Sequence, residues 1–169
     1  LPLDVGHLAV MFAEAAAAHG TRPATRIASG ESWTTRSYAA LAADVRRLAA
    51  RLIDRGLAPG DRVAIFSSNV PEWTLTDLAC ASAGLVSVPV YPSSSVEQAR
   101  HMLADSGSRL VFVGGRAEVD KLTPIMAELP DLTGVISFEP VPGADVAELA
   151  DELAHAPADS PQARDAAQA

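Results

Sequence analysis

Apolar residues recur along this chain first at helical spacing and then in short continuous runs, and that change of period predicts its elements. Residues 7–19 carry Leu8, Met11, Phe12 and Ala15 on one helical face, and Gly20 is placed to end the helix. Two short extended runs follow, 25–28 and 31–34, with Ser29-Gly30 between them as a hairpin turn. Ser37 is placed to cap the next helix, where Leu41, Val45, Leu48 and Leu52 fall at spacings of four, three and four. Arg46, Arg47 and Asp54 take its other face, and Gly56 is its stop.

From there the pattern alternates. Pro59-Gly60-Asp61 turns into a strand over 62–67, and Pro71 opens a helix reaching about Ala83. A second strand covers 85–90. Ser94 and Glu97 have capping-box spacing before a helix through Met102 to about Asp105, and a third strand covers 109–113. Apolar strands separated by helices and short loops predict an α/β fold, a parallel sheet with helices on both faces. Pro89 cannot donate to a ladder, so the second strand is expected to end early or bulge there. Beyond it the pattern gives a helix over 117–129 kinked or divided by Pro124, a strand over 134–138 and a short acidic helix over 145–153. Residues 1–154 read as one partial subdomain. Residues 155–169, made of Ala, Pro, Asp and Gln with almost no large apolar residue, read as a poorly ordered linker. There is no internal repeat.

Composition narrows the picture. The apolar fraction is 49% with only 5% aromatics, so the core is expected to be built from Ala, Leu and Val. The net charge is -8, Lys121 is the one lysine, and no basic run interleaves with aromatics, which argues against a nucleic-acid surface. No run reaches the ~18 apolar residues of a membrane span. The start at Leu1 has no signal-peptide pattern. One cysteine, Cys80, excludes an intrachain disulfide and fits a reducing, cytoplasmic setting, in which a peripheral membrane location also stays open. Within its apolar run Cys80 reads as a small buried hydrophobe.

In open parallel sheets ligands gather beyond the carboxyl ends of the strands. Those ends are Ser67-Ser68-Asn69, Tyr91 to Ser95, and Gly114-Gly115-Arg116. The serines at 93–95 either cap the following helix or offer hydroxyls and N–H groups to a phosphate. Neither G-x-x-x-x-G-K-[ST] nor G-x-G-x-x-G is present, and Gly114-Gly115 reads as a turn. His7, His19, His101 and His155 are far apart and show no metal-ligand spacing. No nucleophile, base and orienting group can be assembled from these residues, so they give no catalytic residue and no metal site.

Several segments nevertheless occur in a telling order. The run GLAPGDRVAIFSSNVPEW from Gly56 to Trp73 and the continuation AGLVSVPVYP from Ala83 to Pro92 are very similar to the early part of adenylate-forming acyl-CoA synthetases. Ser37-Tyr38-Ala39-Ala40-Leu41 resembles that family's first core motif, with Ala40 where an acid is usual. The stretch through Asp105-Ser106-Gly107-Ser108-Arg109 follows the pattern too. The resemblance runs from about Pro23 to Val113, and its Val-Pro-Val-Tyr-Pro version leans toward long-chain-fatty-acid–CoA ligases.

The resemblance implies the N-terminal portion of the large domain of such an enzyme. The parent would use ATP, Mg²⁺ and CoA to convert a fatty acid through an acyl-adenylate to acyl-CoA, with AMP and pyrophosphate released. The phosphate loop and catalytic lysine of that family do not occur here, so this portion is expected to be inactive alone and to hold no cofactor itself; with apolar surface and a strand edge left uncovered, it is expected to self-associate or to be unstable alone. It also implies that the loop Tyr91-Pro92-Ser93 lies along the pantetheine tunnel for CoA, although Pro92 and Ser93 stand where acetyl-CoA members carry glycines. Read from its residues alone, that loop is a tight strand-to-helix turn. A stand-alone α/β binding module derived from the family is the alternative to a ligase portion.

Overall fold

The computed structural model describes residues 8–30 and 32–155. His7, Glu31 and the linker expected from 156 onward lie outside the described residues. Helix α1 (Leu8–His19) leads into a two-stranded antiparallel hairpin, β1 (Pro23–Ser29) and β2 (Ser32–Ser37). Ser37 ends the hairpin and caps α2 (Tyr38–Asp54), its hydroxyl accepting from the Ala40 N–H at 3.2 Å. Gly56, at φ +82°, takes the left-handed conformation just past that helix.

The main sheet is built from β3 (Arg62–Phe66), β4 (Val86–Val90), β5 (Leu110–Val113), β6 (Gly134–Ser137) and the short β7 (Ala147–Glu148), all parallel, in the order β4-β3-β5-β6-β7. Between them run α3 (Pro71–Ser82), α4 (Val96–Ser106), α5 (Arg116–Leu122) with a 3₁₀ turn over Thr123–Glu128, and finally α6 (Leu149–Ala154). Alternate residues of the central strands feed two cores. Val63, Ile65, Leu110, Phe112 and Ile136 pack under α2, α3 and α6, with Leu48, Leu75 and Leu149. Ala64, Phe66, Val111, Val113 and Val135 pack under α4 and α5, with Leu103, Val119 and Leu122. Helices therefore cover both faces, which is why β3 and β5 carry no polar alternation.

Four expectations need correction. Pro89 neither ends nor bulges its strand: β4 pairs with β3 from Val86 through Val90, and as the edge strand among the described residues it has no second neighbour there to supply with an N–H. The inward face of α1 is set by Ala9 and Phe12, while Leu8 and Met11 are exposed, and alanines of α1 and α2 line an open cavity between the two helices. The stretch expected to be helical from 145 first pairs with β6 as β7, so α6 begins at Leu149. The capping box uses Ser95 and Gln98, one residue later than the Ser94–Glu97 spacing.

The most recognisable run in the sequence fixes the far end of the sheet. Asp61 accepts from the Ala58 N–H at 2.9 Å and from Arg109 Nη1 at 2.6 Å. Arg62 donates to the Ser106 and Gly107 carbonyls at 2.6 and 3.0 Å, closing the C-terminus of α4. These contacts buckle the amino ends of β3 and β5 to α4.

Candidate functional site at the carboxyl ends of the strands

At the opposite end, β3, β4, β5 and β6 finish side by side and their loops frame two clefts that meet at Ser67 and Ser68. One, of about 480 Å³, lies between Ser67–Asn69, Trp73 on α3, and Pro89 to Pro92 at the end of β4. The other, of about 520 Å³, lies between Ser68, Glu72, Gly114 to Glu118, Phe138 and Glu139. Ser67 is buried and its hydroxyl is turned onto the Ser68 carbonyl at 3.0 Å. Gly114 and Gly115 are a strand-to-helix connection in which the Gly115 N–H donates to Glu118 at 3.1 Å. A Cβ at Gly114 would sit 3.1 Å from both the Glu118 carboxylate and the Ser67 hydroxyl, and one at Gly115 would sit 3.2 Å from the Glu139 carboxylate. The glycines let those side chains close in on the backbone.

The second cleft is thus lined by three carboxylates, Glu72, Glu118 and Glu139, with Arg116 as its cation. Its electrostatics disfavour a polyphosphate. In the first cleft Tyr91 is 75% exposed and Pro92 half-buried, beside an exposed Ser93. Of the serines that could hold an anion, Ser95 accepts from the Gln98 N–H at 3.2 Å while Gln98 Oε1 accepts from the Ser95 N–H at 2.9 Å, and Ser94 is buried. Capping accounts for Ser95.

The other singled-out residues lie elsewhere. His19, His101 and His155 sit exposed on or at the ends of α1, α4 and α6, and His7 lies outside the described residues. Among the described residues no group of three or more His, Cys, Asp or Glu side chains could hold a metal, and no helix is long and apolar enough to cross a membrane. Cys80 is fully buried, and burial first, then the nearby Asp77 carboxylate, push its thiol up to about 12. A cavity of about 330 Å³ between α1 and α2 is lined mostly by alanines, away from the strand ends.

Two groups that sequence reasoning missed are charged. Glu152 on α6 is 5% exposed and receives Arg51 Nε at 2.9 Å and Arg55 Nε and Nη2 at 2.8 and 2.5 Å. The Arg55 hydrogen bonds hold its carboxyl below the ordinary range. The arginines stand four apart, in the last turn of α2 and at its C-cap, but their partner is about a hundred residues away. Lys121 reaches from α5 to the Tyr91–Ser95 loop, and its sequence signal is only that the chain has no other lysine.

Comparison with known proteins gives a consistent result. The model of the family described as AMP-binding enzyme matches residues 12–168. The chain is 41% identical over 97 residues to the long-chain-fatty-acid–CoA ligase FadD15 of Mycobacterium bovis, covering 57% of this chain and 16% of that protein. It is 32% identical over 108 residues to the long-chain-fatty-acid–CoA ligase heimdall of Drosophila melanogaster, covering 64% and 16%. The N-terminal domain of FACL13 from Mycobacterium tuberculosis superposes with a TM-score of 0.78 at 28% identity, over 93% of this chain and 38% of that one.

Proposed function

The chain belongs to the AMP-binding enzyme family, and on that premise we propose that it works as the N-terminal portion of an ATP-dependent, AMP-forming fatty-acyl-CoA ligase. It spans 16% of the length of the long-chain ligases it matches, so the activity is that of a larger protein. The observation that carries the reading is the mostly apolar, carboxylate-free cleft beyond the carboxyl ends of β3 and β4, in a segment whose relatives are named as such ligases. The reaction joins a fatty acid to AMP with loss of pyrophosphate; the CoA thiol then displaces AMP.

The described residues fit only part of this chemistry. ATP with its Mg²⁺ needs donors around developing phosphate charge, and the carboxylate-lined cleft supplies few. We therefore derive no step through ATP or Mg²⁺ here and assign both to other parts of the ligase. The cleft at Tyr91 and Pro92 is different: it is open, mostly apolar and free of carboxylates, which suits the slender pantetheine arm of CoA. Tyr91, Pro92 and Ser93 are assigned to one wall of that passage, contacting CoA without taking part in bond making. The fatty acid reaches the ligase from the cytoplasm or from a membrane surface on which the enzyme sits peripherally.

ATP–pyrophosphate exchange with a panel of fatty acids tests the reading. The complete protein exchanges and then forms acyl-CoA, while residues 1–169 alone do not exchange. No exchange by the complete protein with any fatty acid refutes the ligase reading; exchange by residues 1–169, free of contaminating ligase, refutes the inactivity of this portion. Residues 1–169 alone self-associate through apolar surface such as Met11, Val86 and Met126. A monomer that survives dilution in light scattering, with a cooperative melt, contradicts that last point.

A further inference from the structure

We infer that Lys121 is the positioning residue of the Tyr91–Ser95 loop, holding it in the shape that presents Tyr91 and Pro92 to the cleft. The inference rests on the reading of that cleft as the CoA passage. Lys121 Nζ donates to the Pro92 carbonyl at 2.6 Å and to the Ser94 carbonyl at 3.0 Å. The same ammonium lies 5.5 Å from the centroid of the Phe66 ring, the fully buried last residue of β3. One cation thus ties together the end of β3, the loop after β4, and α5.

The loop's other internal bonds leave this job to the lysine. The Ser94 N–H donates to the Tyr91 carbonyl at 2.9 Å, and the Ser95 backbone and hydroxyl are engaged with Gln98. Pro92 has no N–H, so its own backbone can anchor the loop only through its carbonyl. Both that carbonyl and the one at Ser94 are taken by Lys121. A lysine suits the place: its three donors on a compact head can serve two carbonyls from above an aromatic face, which a planar guanidinium does less readily. The loop's outer surface is left clear, with Tyr91 75% exposed.

The test uses the protein as its gene encodes it and has two readouts. Lys121→Met keeps the stem and removes the donors. It is expected to speed amide hydrogen exchange at residues 91–95 by about tenfold, and to raise KM for CoA about tenfold with kcat changed by less than about threefold. Lys121→Arg, which keeps the charge but serves two carbonyls less readily through its planar guanidinium, recovers only part of both, and Lys121→Leu, which also lacks donors, serves in place of the Met variant if that one folds poorly. Tyr91→Ala supplies the control for the CoA reading. Unchanged exchange at 91–95 overturns the inference outright. Faster exchange with KM for CoA raised by Tyr91→Ala but not by Lys121→Met also overturns it, leaving the CoA passage standing. If neither Tyr91→Ala nor Lys121→Met moves KM for CoA, the CoA passage itself fails and the positioning role fails with it.

Discussion

Replacing Glu152 by glutamine removes the anion that two arginines at the C-terminal end of α2 share, and the structure sets how much that costs. Three charge-assisted hydrogen bonds converge on its carboxylate, whose side chain is 6% exposed. Cutting one partner from a fully buried pair costs about 3–5 kcal/mol. Here the arginine side chains are 28% and 27% exposed, so water can reach them once the anion is gone. The amide oxygen of glutamine also keeps one acceptor. Glu152→Gln is therefore expected to destabilise the protein by about 2 kcal/mol, or a fall in Tm of about 4–8 °C for a domain of this size. The loss is concentrated where α6 meets α2, and amide exchange at Leu149–Ala154 quickens first.

The pH dependence follows from the depressed carboxyl. The native group ionises more readily than the unfolded one, so its stabilisation is complete above the ordinary value of 4.5 and is lost as pH falls through the lower native value. Wild type and Glu152→Gln should accordingly differ in Tm at pH 7 and draw together as pH falls below the ordinary carboxyl value of 4.5 and through the lower native one. A double-mutant cycle with Arg55→Met is expected to show about 1–2 kcal/mol of coupling. A fall in Tm of under about 1 °C, or two changes that simply add, would refute the reasoning.

Other expectations can be checked in the same preparations. Asp61→Asn weakens the buckle at the amino ends of the strands, lowering stability by about 1 kcal/mol in urea melts, with KM for CoA unchanged because the strand-end cleft lies at the far end of the sheet. Cys80, with its thiol pushed up to about 12, should react with a thiol reagent at neutral pH only after unfolding, and fast labelling of the native protein would contradict its burial. Gly114→Ala sets a methyl 3.1 Å from Ser67 and Glu118 and is expected to cost about 1 kcal/mol, read by Tm, while shifting Glu118 out of the second cleft.

The alternation from β3 to β5 was legible because both faces of those strands are covered, which forces unbroken apolar runs that few other arrangements produce. The hairpin and the cap at Ser37 were legible because their chemistry is local. The inward face of α1 was not: large residues normally mark the buried side, and here Ala9 is buried while Leu8 and Met11 stay outside. Nor was β7, two residues long and held by its neighbour β6 rather than by any period of its own. The location of the site followed from topology, since parallel strands deliver their loops to one end. Its composition did not. Which serine caps, how Glu118 and Glu139 close on the two glycines, and what Lys121 and Glu152 grip all depend on residues brought together from distant parts of the chain.

Pro89 has a bearing on how this sheet can grow. The Val86 N–H points inward to the Asp61 carbonyl, so alternation along β4 turns the main-chain groups of Ser87 and Pro89 outward. A strand arriving at that margin would find one of its two outward donors missing, and no lateral ladder of useful length could form. Recruitment of another strand, from the same polypeptide or from a second molecule, is thereby disfavoured on the β4 side. The proline thus acts as a chain terminator for the sheet, written into a position where its own strand loses nothing.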